Sequence, residues 1–233
     1  MYIAFLVILL AWLVVMNLLD LLPAKKPKEA DVVKMSERKE FVVNMAFIWV
    51  PALVVLVLSF IGNISLQDLG FRPISFNHPT WFTAATLIAG GSVFAYYMLR
   101  LALSLFSPKF REKQAIAYGD DKDVPRTAKD RKMHTIYVFS TATCEELISR
   151  GFTVFLLMAV FPGISVFLVI LISSALFGLS HIYQGFSGIV RTGIFGVITV
   201  SLFLATDSLI FPMLFHFAAD FSYTFILPKE QAV

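Results

Sequence analysis

Cysteine occurs once in 233 residues, at Cys144, so no disulfide can form within the chain. A nucleophilic cysteine needs a neighbour that favours the thiolate. The two carboxylates that follow Cys144 do the opposite, and it reads as a small buried hydrophobe. Charge is also sparse: Asp, Glu, Lys and Arg make up 15% of the chain and the net charge is +3, too little to argue for nucleic acid. No stretch alternates apolar and polar residues with period two, which argues against strands. There is no internal repeat, no low-complexity segment and no H-E-x-x-H, the usual helical spacing of zinc ligands.

Apolar residues fill the chain instead. They make up 58% of it, and 24 residues are Phe, whereas a soluble domain holds about 45–50% apolar residues. This excess exceeds what one core buries, so the chain reads as a single all-α membrane domain over 1–233. A crossing takes about 20 apolar residues. Seven stretches qualify: Met1 to Leu22, Phe41 to Ile61, Trp81 to Phe106, Met133 to Phe161, Ile164 to Tyr183, Gly188 to Ala205 and Leu209 to Leu227. The first has no basic leader and no small-residue cleavage pattern, so it reads as an anchor. Pro51 can kink the second, and Gly90-Gly91 in the third suit close helix approach.

Basic residues gather in two connectors. One holds Lys25, Lys26, Lys28, Lys34, Arg38 and Lys39, and joins the two spans of an N-terminal section, 1–61. The other runs from Lys109 to Lys132. The connector from Gly62 to Thr80 holds Arg72 alone. The positive-inside rule places both basic connectors in the cytoplasm. Seven spans then leave the N-terminus outside and the C-terminus inside.

Against this background the charged residues inside the spans are conspicuous. The fourth span carries Glu145-Glu146-Leu147-Ile148-Ser149-Arg150. Ionisable groups at bilayer depth are costly and mark function by default. Glu146 and Arg150 are four apart and share a helix face, so they read as a structural pair. Glu145 is rotated by about 100° from Glu146 and is left as the available carboxylate. The bland alternative is one buried ion network locking helices together.

His181 ends the fifth span, one turn after Phe177, which would shield or position its ring. Glu145 lies 17 residues before Pro162 and His181 lies 19 after it. At about 1.5 Å per residue the two differ by only about 3 Å in depth, so they can meet across the hairpin. His216 and Asp220, four apart, share a face of the seventh span. Counted from a turn near Asp207, His216 lies only about 14 Å in, against about 26 Å for Glu145. His78 and His134 read as interfacial.

A carboxylate facing a histidine in a dry site can activate water as a general base. A second histidine with a hydrogen-bonding neighbour can stabilise an oxyanion. A zinc site built from Glu145, His181 and His216 is the competing reading. A proton-coupled transporter is a third, although no inverted repeat supports it.

The three segments together resemble the CPBP family of CAAX proteases and bacteriocin-processing enzymes. Its motifs are E-E-x-x-x-R, F-x-x-x-H and H-x-x-x-[N/D] on successive membrane helices. The chain reads Glu145 to Arg150, Phe177 to His181 and His216 to Asp220. Arg150-Gly151, Ser173-Ser174-Ala175, Pro212 and the segment Leu66 to Phe71 also look like the family. The resemblance covers 65–227.

It implies a helical bundle whose active site lies in the membrane toward the cytoplasmic side. It also implies a glutamic-type intramembrane peptidase without a metal cofactor. Glu145 would activate water with His181 as its partner, His216 and Asp220 would form the oxyanion site, and Glu146, Arg150 and Phe177 would support them. The expected partners are the lipid bilayer and a membrane-anchored protein or peptide, in the plasma membrane of a bacterium. A non-catalytic scaffold or bacteriocin-immunity protein of the same fold is the alternative. Two departures stand out. Ser149 occupies a position that is often aromatic, a change expected to affect packing more than chemistry. Asp220 replaces the asparagine of prenyl proteases, and an ionised aspartate cannot donate to an oxyanion.

Overall fold

A computed structural model describes residues 1–21, 37–118 and 127–225. Regular structure among them is entirely helical. The helices are α1 (Tyr2–Leu21), α2 (Glu37–Ile61), α3 (Thr80–Phe106), α4 (Pro108–Tyr118), α5 (Ala128–Glu146), α6 (Thr153–Val160), α7 (Val166–Leu179), α8 (Gly185–Thr206) and α9 (Ile210–Phe221). Among the described residues, three segments are long and apolar enough to cross a membrane: Phe41–Ile61, Thr80–Phe106 and Ile182–Thr206. Tyr2–Val15, Val166–Leu179 and Ile210–Phe221 are shorter apolar helices. Leu22, most of the first basic connector and Leu227 lie outside the described residues, as do Lys122 and Arg126.

The expected span from Met133 to Phe161 is helical from Ala128 to Val160, with one wide π turn, Leu147–Phe152, joining α5 to α6. It starts at a capping box in which Thr127 and Asp130 bond each other's backbone N–H groups, satisfying donors that have no partner within the helix. The hairpin beyond α6 turns at Pro162-Gly163, where Gly163 takes φ 84°. Ser165 then caps α7 by accepting from the Leu168 N–H. The expected fifth span is shortened: α7 stops at Leu179, and His181 lies beyond it, before a short 3-10 turn, Ile182–Gln184.

Helix α5, the π turn and α6 form the centre of the bundle. One side packs against α1, α2 and the 64–69 loop through Phe5, Val55, Leu69, Cys144, Leu147 and Phe152. The other packs against α7, α8 and the start of α9 through Val154, Leu157, Val169, Val200, Phe203 and Leu209. Close contact depends on small residues, as membrane helix packing favours. A Cβ on Gly178 would come within 2.8 Å of the Ile189 carbonyl of α8. A Cβ on Gly90 would meet Leu202 at 2.9 Å, whereas Gly91 faces open space, so only the first of that pair serves close approach.

The 65–77 segment ties the bundle together. Leu69 is buried, and a Cβ on Gly151 would lie 2.6 Å from its carbonyl oxygen. The loop thus seats against the residue that follows Arg150. Gly70 takes φ 90° and its carbonyl accepts from the Leu209 N–H at 3.0 Å. Asp207, in the left-handed region at φ 51°, receives Arg72, Ser75 and Asn77. Thr206, Ser208 and Leu209 are buried as a result.

Candidate active site

The π turn widens the helix by one residue where the charged residues sit. Thr153 Oγ1 reaches back five residues to the Ile148 carbonyl at 2.7 Å, adding to the bond that its own backbone N–H makes to the same oxygen. Such turns recur at functional sites. Within this turn Arg150 Nε lies 3.1 Å from Glu146 Oε2, with both side chains almost fully buried. Arg150 also donates to Ser149 Oγ and to Thr199 Oγ1 of α8, and its guanidinium lies 4.1 Å above the Phe177 ring. A buried charge needs this degree of compensation.

The other oxygen of Glu146 faces His216 Nδ1 at 2.7 Å. A carboxylate only accepts, so Nδ1 carries a proton. His216 Nε2 lies 3.4 Å from Asp220 Oδ2 and 4.0 Å from Glu145 Oε2. The depth mismatch expected between His216 and the glutamates is therefore absent. Helix counting assumed two turns at one level. The turn at Pro162 is exposed, whereas that at 206–209 is buried beneath the 65–77 segment, so α9 starts deeper.

Glu145 is placed differently from Glu146. Its side chain keeps 29% exposure, against none for Glu146. It lines a cavity of about 580 Å³ together with His181, Tyr137, Ser149, Ser173 and Phe177. The opposite wall comes from α1 and α2, including Leu9, Trp12, Asn44 and Phe47. His181 Nδ1 lies 2.9 Å from the Phe177 carbonyl oxygen. That oxygen can only accept, so the proton sits on Nδ1 and Nε2 is the free lone pair of the neutral ring. The Phe177 and His181 ring centroids are 4.8 Å apart.

The fold thus draws together all seven residues singled out from the motifs. His134 bonds Thr224, and His78 packs on Phe82; neither joins the group. Three participants had no motif to mark them. Thr199 is a fully buried hydroxyl on α8, and a polar residue in the middle of an apolar span was its only signal. Phe195 packs its ring 5.0 Å from His216. Ser149, expected to alter packing, donates to the Glu145 carbonyl and receives Arg150, so it helps to hold the charged pair. Among the described residues no three His, Cys, Asp or Glu side chains are grouped to hold a metal ion.

The family model described as type II CAAX prenyl endopeptidase Rce1-like matches residues 131–222, the segment that contains all three motifs. No curated protein and no solved structure matches the chain.

Proposed function

We propose that this chain, which belongs through residues 131–222 to the CPBP family of CAAX proteases and bacteriocin-processing enzymes, is an intramembrane endopeptidase that uses Glu145 as its base. The observation that carries this reading is the separation of the two glutamates: Glu145 shares a cavity with His181, while Glu146 is sealed against Arg150. Glu145 takes a proton from a water held between it and His181 Nε2. The hydroxide oxygen bonds to the substrate carbonyl carbon, and the carbonyl electrons move onto its oxygen. His216, protonated on both nitrogens between Glu146 and Asp220, offers Nε2–H to that oxyanion, so Asp220 acts by orienting the histidine. Glu145 returns its proton to the amide nitrogen as the C–N bond breaks.

The cavity's apolar wall suits a membrane-anchored peptide, with a prenylated protein or a bacteriocin leader as candidate substrates. The bundle spans the membrane seven times in a bacterial plasma membrane, with the N-terminus outside, the C-terminus inside and the site open to the cytoplasm. Metal-free chemistry is part of the proposal. The test is cleavage of a quenched peptide ending in a farnesylated CAAX sequence, and N-terminal profiling of membranes, by wild type and Glu145→Gln. Products made by wild type and absent from the variant support the reading. Equal cleavage by both sinks it, and stoichiometric zinc in active protein overturns the metal-free mechanism.

A further inference from the structure

We infer that Tyr183 is a positioning residue that holds the His181 imidazole at the cavity wall; the inference rests on the role proposed for His181. His181 lies past the last turn of α7, at φ −110° and ψ 25°, and its Nδ1 is tied to the Phe177 carbonyl at 2.9 Å, a single bond that still lets the ring rock about it. Two aromatic rings steady its faces. Phe177 covers it at 4.8 Å, and Tyr183 stacks on it at 5.9 Å with the planes 28° apart, within the range of productive aromatic pairs.

Tyr183 is itself 64% exposed and so needs an anchor. Its hydroxyl accepts from Gln184 Nε2 at 3.0 Å, and Gln184 Oε1 accepts from Arg191 Nη2 at 2.9 Å. The relay therefore runs from α8 through the 3-10 turn to the phenol. Gly188 permits it, because a Cβ there would collide with the Gln184 stem. Gly185, at φ 74°, makes the reversal that brings α8 back beneath the relay. Helix α1 packs on the same short turn, and Tyr183 lines the cavity with Glu145 and His181. A tyrosine serving only to face lipid would require none of this chain.

The test is NMR on the full chain with labelled histidines in nanodiscs, with His181 assigned by the signal lost in His181→Ala. Tyr183→Leu is expected to broaden or double the His181 ring signals, and Tyr183→Phe, which keeps the ring but loses the anchor, to fall between it and wild type. On the farnesylated peptide, Tyr183→Leu lowers kcat by about tenfold, as misplacement of a reacting group does. KM moves less than about twofold, because uniform binding is kept. Tyr183→Phe recovers most of the rate. Unchanged His181 signals in Tyr183→Leu overturn the inference. So does a raised KM at constant kcat, which would make Tyr183 plain cavity wall. If Tyr183→Leu does not fold, Gln184→Ala probes the relay from outside the cavity, and undisturbed His181 signals there count against it. Should Glu145→Gln cleave as fast as wild type, the peptidase reading falls, and the NMR comparison still decides how His181 is held.

Discussion

Glu145 and Glu146 are adjacent in sequence and belong to different regions of the molecule. Glu146 lies on the closed side, where Arg150, His216 Nδ1, Thr199 and the Phe177 face form a sealed polar knot. Glu145 lies on the open side, with His216 Nε2 at 4.0 Å and a cavity before it. A sealed charge is tolerable only when its partners are fixed, and fixed partners leave it nothing to do for a substrate. A partly exposed carboxylate keeps solvent access and remains able to exchange a proton. Ordinary helical rotation of about 100° between neighbours at the end of α5 allows both.

The sharpest way to break this contrast is to neutralise Glu145 and, separately, to take the guanidinium away from Glu146. Glu145→Gln is expected to lower cleavage by about 10²–10⁴-fold, the usual contribution of a general base, with thermal stability unchanged. Activity near wild type would erase the distinction. Arg150→Ala acts on the other side. It strands Glu146 without its cation, and a buried pair broken in this way typically costs about 3–5 kcal/mol. Detergent-solubilised protein should therefore melt earlier or fail to accumulate, and an unchanged melting curve would show that the knot contributes little.

Thr199→Val is a milder probe of the closed side. It removes one hydroxyl from a charged donor, worth about 1–3 kcal/mol, and should appear as a lower melting temperature before any specific change in KM. Asp220→Asn keeps an oxygen that can accept from His216 and restores the amide used by prenyl proteases. Its activity should stay within about tenfold of wild type, since a charged and a neutral acceptor opposite His216 differ by about 1 kcal/mol. A collapse in rate would mean that the Asp220 charge is essential.

The smallest effect belongs to Asp68, outside the membrane. Its carboxylate accepts from the Ser65 N–H at 2.9 Å and the Ser65 hydroxyl at 2.7 Å. These bonds hold its pKa below the usual carboxylate range. Since the folded value is the depressed one, its contribution is present above the unfolded value and disappears as pH falls through the folded value. Strong acid should raise hydrogen exchange in the 65–70 loop before it does so around Glu146, and Asp68→Asn should remove that early step.

Helix class, the membrane setting and the charged clusters were legible in the chain, because apolar run length and i,i+4 spacing are local properties. Four-residue spacing sufficed to pair Glu146 with Arg150 and His216 with Asp220, and rotation by one residue separated Glu145 from Glu146. Other features depended on segments distant in sequence. The depth of His216 follows from a loop some 140 residues earlier, near Leu69, that buries the α8–α9 turn. Thr199 reaches Arg150 because α8 packs against the π turn. The wall facing Glu145 comes from α1 and α2, outside the matched segment. Periodicity records which side of a helix is apolar. Depth, register between helices and the neighbours of a buried charge are set by packing, which is decided only when all the segments meet.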